Sequence, residues 1–141
     1  MEKLYTAVAT TKGGRNGHVS SSDNVLDLEL RMPKELGGEE GYTNPEQLFS
    51  AGYAACFASG LEMIARRKKL NADGVEITVA TSLCRHPSGE GFRLHVEITG
   101  LFPKGISNQH ADELMKATHD FCPYSRAIKG NVEVILHHKL A

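Results

Sequence analysis

Large apolar residues Phe49, Tyr53, Phe57, Leu61 and Ile64 recur at helical spacing, which predicts a helix turned toward a core. Its start is well marked. Asn44 is a good N-cap, Pro45 suits the first helical position where its missing N–H costs nothing, and Gln47 stands where a capping-box side chain reaches back to the cap. Gly52, Cys56 and Gly60 fall four apart on a neighbouring stripe, small enough for another backbone to approach closely. With Ala51, Ala54, Ala55, Ala58 and Ser59 filling most of the rest, the first turns carry almost no charge, the pattern of a central helix enclosed by protein. Arg66-Arg67-Lys68-Lys69 ends it, with positive charge near the negative pole of the helix dipole.

Elsewhere the period is two. Residues 4–11 are rich in strand formers, and Gly13-Gly14-Arg15-Asn16-Gly17 follows as a tight connection with Arg15 at its tip. Leu26, Leu28, Leu30 and Met32 alternate with charges and predict a half-exposed strand, followed by a long loop through Gly41. Beyond the helix, Val75, Ile77, Val79, Thr81 and Leu83 alternate, Pro87–Gly91 makes a turn, and Phe92, Leu94, Val96 and Ile98 alternate again: a hairpin. Ser107 can cap a second helix through about Phe121, because Pro123 discourages helical geometry at Cys122. Val132, Val134 and Leu136 form a last strand. The order predicts an α+β fold, mainly antiparallel sheets around a central buried helix plus a second helix, in a single domain spanning residues 1–141.

Composition narrows the function. The 16 basic and 17 acidic residues nearly cancel to a net charge of -1, which removes the electrostatic case for nucleic acid and makes the basic run 66–69 a solvated helix end. The N-terminus lacks an apolar signal core and no stretch approaches the ~18 apolar residues of a membrane span, so a cytoplasmic protein with no membrane partner is expected. Three cysteines without a Cys-x-x-Cys pair make neither a secreted disulfide framework nor a zinc ribbon, and the histidines offer no second ligand pair at zinc spacing; no metal is expected. Phosphate-loop, dinucleotide and serine-hydrolase motifs are absent.

The thiols remain. Cys56 reads either as a small residue that allows close packing or as a nucleophile whose surroundings keep it as thiolate. Cys122 reads either as a core thiol at a helix terminus or as its partner, and Cys84, on the strand face opposite Leu83, as inert. Arg15 by itself is a loop charge, and Glu46 a carboxylate favoured in a first helical turn.

Together, Gly13-Gly14-Arg15, Lys34-Glu35-Leu36-Gly37-Gly38, Thr43-Asn44-Pro45-Glu46-Gln47-Leu48-Phe49, Ala55-Cys56-Phe57 and Cys122-Pro123-Tyr124-Ser125 resemble, in order and spacing, the organic hydroperoxide resistance (Ohr) proteins of the OsmC-like superfamily. The resemblance implies a thiol-dependent peroxidase with Cys56 peroxidatic, Cys122 resolving, and Arg15 with Glu46 as the activating pair. Cys56 thiolate attacks the O–O bond of an organic hydroperoxide, leaving a sulfenic acid that Cys122 converts to a disulfide. Arg15 stabilises the thiolate and Glu46 orients Arg15. Phe49, Phe57 and Phe121 suit an organic tail, and an external dithiol, for which the resemblance suggests lipoyl groups such as dihydrolipoamide or a lipoylated protein, restores the thiols without a bound cofactor. The alternatives are an OsmC-type peroxidase of broader substrate range and a noncatalytic stress or binding protein.

Those roles combine with helix geometry. Glu46 and Cys56 are ten residues apart, roughly 15 Å along a straight helix and on different faces. An intertwined homodimer, with two central helices antiparallel about a two-fold axis, is therefore expected to build each site from both chains.

Overall fold

The structure is a computed structural model and describes residues 1–141. Two compact units divide the chain at Leu48, so that helix α1 (Pro45–Arg67) starts in the first and continues through the second.

In the first unit, strands β1 (Ala9–Lys12), β2 (His18–Ser21) and β3 (Asp27–Glu29) form an antiparallel sheet in the order β1-β2-β3. β1 is shorter than the strand expected over 4–11: before it only the Val8 carbonyl takes a cross-strand hydrogen bond, from the Ser22 N–H at 2.9 Å, and propensity alone does not hold the rest as a strand. β2 was not expected; its residues alternate too weakly to announce a strand. The expected Leu26–Met32 strand is reduced to β3 plus a bridge from Leu30 to Thr43, and Leu30 is the buried member of that row.

The second unit holds β4 (Glu76–Arg85), β5 (Phe92–Phe102), helices α2 (Asn108–Phe121) and α3 (Pro123–Ile128), and β6 (Glu133–Leu140). β4 and β5 make the expected antiparallel hairpin, running in register from Glu76↔Leu101 to Arg85↔Phe92. β6 pairs with β5 in parallel, an exception to the antiparallel expectation. Parallel neighbours need a crossover connection, and α2 and α3 supply it. Ser107 caps α2 as expected, its hydroxyl accepting from the His110 N–H.

Period two is visible in β5, where Val96, Ile98 and Phe102 are buried while Glu97 and Leu101 face outward. This inner face meets Tyr53, Phe57 and Leu61 of α1 and Ala111, Leu114 and Met115 of α2 in one cluster. Each fully buried large side chain there, such as Phe57, Leu61 or Leu114, contributes about 1.5–3 kcal/mol of transfer free energy. By length and composition alone the 23-residue α1 is long and apolar enough to cross a bilayer, a resemblance its many small residues hid from a count of large ones. It is also the core helix of this unit. It is not enclosed on all sides, however: Ala51, Ala55 and Ser59 are exposed on the single chain.

Candidate active site

Arg15 stands on the 3-10 turn Gly14–Asn16 that joins β1 to β2. Gly13 enters that turn with φ 85°, the left-handed region that favours glycine. Gly17 closes it so tightly that an added Cβ would lie 1.9 Å from the Lys12 carbonyl oxygen. The turn is fastened to the chain after β3: the Leu30 N–H donates to the Gly17 carbonyl at 2.7 Å, and the Met32 N–H to Asn16 Oδ1 at 3.4 Å. Arg31 adds Nη1 contacts to the Gly17 and Leu30 carbonyls and stacks over Tyr42 at 4.7 Å.

Glu46 lies in the first turn of α1, where its negative charge suits the helix dipole. Asn44 Oδ1 accepts from the Gln47 N–H at 2.9 Å, as an N-cap should. The Gln47 side chain does not reach back to the cap backbone; its Oε1 accepts from Thr43 Oγ1 at 2.8 Å. Arg15 meets Glu46 through both arms, Nη1 to Oε2 at 2.8 Å and Nη2 to Oε1 at 2.6 Å. This bidentate fork fixes the guanidinium plane. The Arg15 hydrogen bond holds the Glu46 carboxyl below its ordinary value against the opposing effect of burial, and raises Arg15 in turn.

The second pair is Cys56 and Cys122, both free thiols. Cys122 ends α2 and begins α3: its N–H donates to the Thr118 carbonyl at 2.7 Å, and its own carbonyl accepts from the Arg126 N–H at 2.9 Å. Its φ −59°, ψ 127° is the extended geometry that a following proline demands. Helix α3 was not expected, though Pro123 at its first position is a favoured start. Between these helix ends Cys122 is fully buried, and its thiol donates to the half-buried Cys56 Sγ at 3.8 Å.

The stripe Gly52-Cys56-Gly60 explains the approach. Ideal Cβ atoms at Gly52 and Gly60 would stand 3.4 Å from the Tyr124 ring and 3.6 Å from the Phe121 ring. The stripe thus receives Tyr124, Cys122 and Phe121 side by side, with the rings over Gly52 and Gly60 and the Tyr124 backbone N–H at Cys56. Phe121 and Tyr124 stay 42% exposed and rim the thiols, whereas Phe57 is wholly buried in the core and Phe49 packs edge-on against Tyr53. Burial pushes the Cys56 thiol up, its hydrogen bond and electrostatic interaction with Cys122 add to that, and the Tyr124 backbone N–H pulls it down.

Two further residues escaped sequence reasoning. Tyr53 and Ser125, both buried, share a 2.6 Å hydrogen bond beside the thiols. Their signal was positional: each stands three residues from a cysteine, Tyr53 before Cys56 and Ser125 after Cys122. Cys84 lies on β4 with the exposed Ala80 and Ser82, its thiol 3.9 Å from the Ser82 carbonyl. No group of three or more His, Cys, Asp or Glu side chains is arranged to hold a metal ion.

A fold of two three-stranded sheets with a cysteine-bearing core helix, and a second cysteine at a helix junction against it, defines a class. The chain belongs to the OsmC-like protein family, whose model matches residues 37–137. Within that family it is similar to the organic hydroperoxide resistance protein OhrB of Bacillus subtilis, 44% identical with 96% of this chain and 98% of the relative covered. OhrA of the same organism is 41% identical, with 96% of each covered. Among solved structures, an organic hydroperoxide resistance protein of Legionella pneumophila superposes with a TM-score of 0.91 at 46% identity, covering 98% of this chain and 99% of that one. The crystal structure of OhrB itself gives 0.88, covering 97% and 100%.

Proposed function

We propose that the protein is a thiol peroxidase that reduces organic hydroperoxides to alcohols. Cys56 as thiolate attacks the O–O bond, transfers one oxygen to its sulfur as sulfenic acid and releases the alcohol. The Cys122 thiol then displaces water to form the Cys56–Cys122 disulfide, which an external dithiol, by family resemblance a lipoyl group, reduces. The observation that carries this reading is the 3.8 Å approach of a fully buried thiol to a half-buried one, rimmed by exposed aromatic rings that suit an organic tail. The names of the relatives support the substrate class.

Burial pushes Cys56 in the wrong direction for a nucleophile, so activation calls for a cation at the sulfur. Arg15, oriented by Glu46, is assigned that role. Because both members of the activating pair and the thiol pair cannot be joined along one helix, the active form is read as a homodimer with composite sites. The exposed Ala51, Ala55 and Ser59 strip and the exposed Leu4, Tyr5, Val8 and Val25 give a second copy apolar surface to cover. A cytoplasmic location fits thiols that must be kept reduced.

The raised Cys56 thiol also favours one rival, a noncatalytic protein whose cysteines only pack. Intact-mass measurement after one equivalent of cumene hydroperoxide separates them: the peroxidase loses two hydrogens to a disulfide, and the packing protein is unchanged. Steady-state turnover of cumene hydroperoxide against hydrogen peroxide, with dihydrolipoamide against thioredoxin as reductant, then distinguishes this enzyme from a peroxidase of broader range.

A further inference from the structure

The Tyr53–Ser125 hydrogen bond lies outside the roles assigned so far, and its placement is unusual. Tyr53 sits on the rigid α1 one turn before Cys56, and Ser125 on α3 one turn after Cys122. Both residues are at most 1% exposed, and their hydroxyls meet at 2.6 Å across 72 residues of chain. The start of α3 has no side-chain cap, and its flanking rings Phe121 and Tyr124 are each 42% exposed. Apart from the thiol contact and the pull of the Tyr124 backbone N–H on Cys56, this is the side-chain hydrogen bond that ties α3 to α1.

We propose, resting on the peroxidase reading, that Tyr53 and Ser125 are positioning residues that hold the resolving thiol in reach and so decide the fate of the Cys56 sulfenic acid. Disulfide formation needs the sulfurs to close from 3.8 Å to about 2.05 Å. A tether of fixed length one turn from each cysteine limits how far Cys122 swings away while it waits. Two reactions compete for the intermediate. In one, the Cys122 sulfur attacks the Cys56 sulfur, the S–O bond breaks and water leaves. In the other, a second hydroperoxide transfers oxygen to the Cys56 sulfenic acid, giving sulfinic acid and a second alcohol. The tether favours the first without touching the peroxide.

The test compares Tyr53→Phe, Ser125→Ala and the double variant with wild type, each reduced and then treated with rising cumene hydroperoxide. Intact and peptide masses give the ratio of Cys56 sulfinic acid to Cys56–Cys122 disulfide, and stopped flow gives the rate of the first peroxide equivalent. Each single variant should raise the ratio about fivefold, the scale of one net hydrogen bond, with the first rate unchanged. Single variants also leave a buried hydroxyl unpaired and lose stability, whereas the double variant removes both partners and regains much of it. Positioning predicts that the double variant keeps the raised ratio despite the regained stability. A double variant with the wild-type ratio means that the bond is merely structural and overturns the proposal; it also carries the test if a single variant does not fold. Wild type that forms no disulfide defeats the peroxidase reading and this inference together, whereas disulfide formation at one unvarying ratio in all four proteins defeats this inference alone.

Discussion

The Glu46 carboxylate receives both arms of the Arg15 guanidinium, and this pair joins a hairpin turn to the first turn of α1. The Glu46 pKa is lowered in the fold, so the folded chain binds fewer protons than the unfolded one as pH approaches that value. The resulting stability is fully present above the unfolded value near pH 4.3 and is lost as pH falls through the lowered folded one. Urea titrations of wild type and Glu46→Gln should therefore differ at neutral pH and converge below about pH 4. The difference should be under about 1 kcal/mol, since Arg15 keeps 37% of its side chain in water and is screened. A gap that persists unchanged at pH 3 would remove the pair from the account of acid stability.

Arg15→Ala should raise the Cys56 pKa in the assembled protein and slow its reaction with peroxide about tenfold for each unit of that rise. Thiolate absorbance against pH reads the first effect and stopped flow the second. Glu46→Gln should act in the same direction but more gently, because the guanidinium keeps its charge and loses only its orientation. An unchanged thiolate titration in Arg15→Ala would withdraw Arg15 from activation.

Among the thiols, Cys56→Ser should abolish peroxide reduction. Cys122→Ser should complete one turnover and then accumulate sulfinic acid at Cys56, and Cys84→Ser should keep near-wild-type rates. Repeated turnover by Cys56→Ser would sink the assignment, and a large loss in Cys84→Ser would mean that a different thiol pair reacts.

The glycine stripe can be probed by size. A Cβ at Gly60 would meet Phe121 and Thr118 at 3.6 Å, an ordinary contact, so Gly60→Ala should gain up to about 1 kcal/mol from helix propensity and keep its activity. Gly60→Leu must push those neighbours aside, costing about 1–3 kcal/mol and slowing disulfide closure by shifting the Cys122 segment. Denaturation midpoints and disulfide formation rates would expose the opposite result, a tolerated leucine.

Light scattering should give twice the 15.4 kDa chain mass. Mixing Cys56→Ser with Arg15→Ala chains tests composite sites: a heterodimer collects both defects in one site and neither in the other, so activity should recover. No recovery after demonstrated chain exchange would refute the composite arrangement.

Local chemistry was the legible part of this chain. Asn44 and Ser107 announced both long helices because a cap is a short-range hydrogen bond, and the β4–β5 alternation spoke for itself because one sheet face is buried. Period two, however, says nothing about strand direction, so the parallel docking of β6 on β5 was hidden. Six-residue α3 is too short for a helical period, and a stripe of small residues does not say which segment will lie against it, here Phe121 to Tyr124. The Arg15–Glu46 and Cys56–Cys122 pairs came from motif resemblance, not periodicity, since their partners lie 31 and 66 residues apart.

Cys122 sits inside the α2–α3 crossover, so its place beside Cys56 depends on β6 having docked in parallel against β5. In an unfolded chain the two thiols are separated by 66 residues, with Cys84 between them. Closing a loop costs about 0.6 kcal/mol more for each doubling of its length, so either pairing with Cys84 is entropically easier before the fold exists. Air oxidation during refolding would trap those shorter loops and hold the crossover open. The protein should thus be recovered from denaturant in good yield under reducing conditions and poorly under oxidising ones, and removal of Cys84 should narrow that difference.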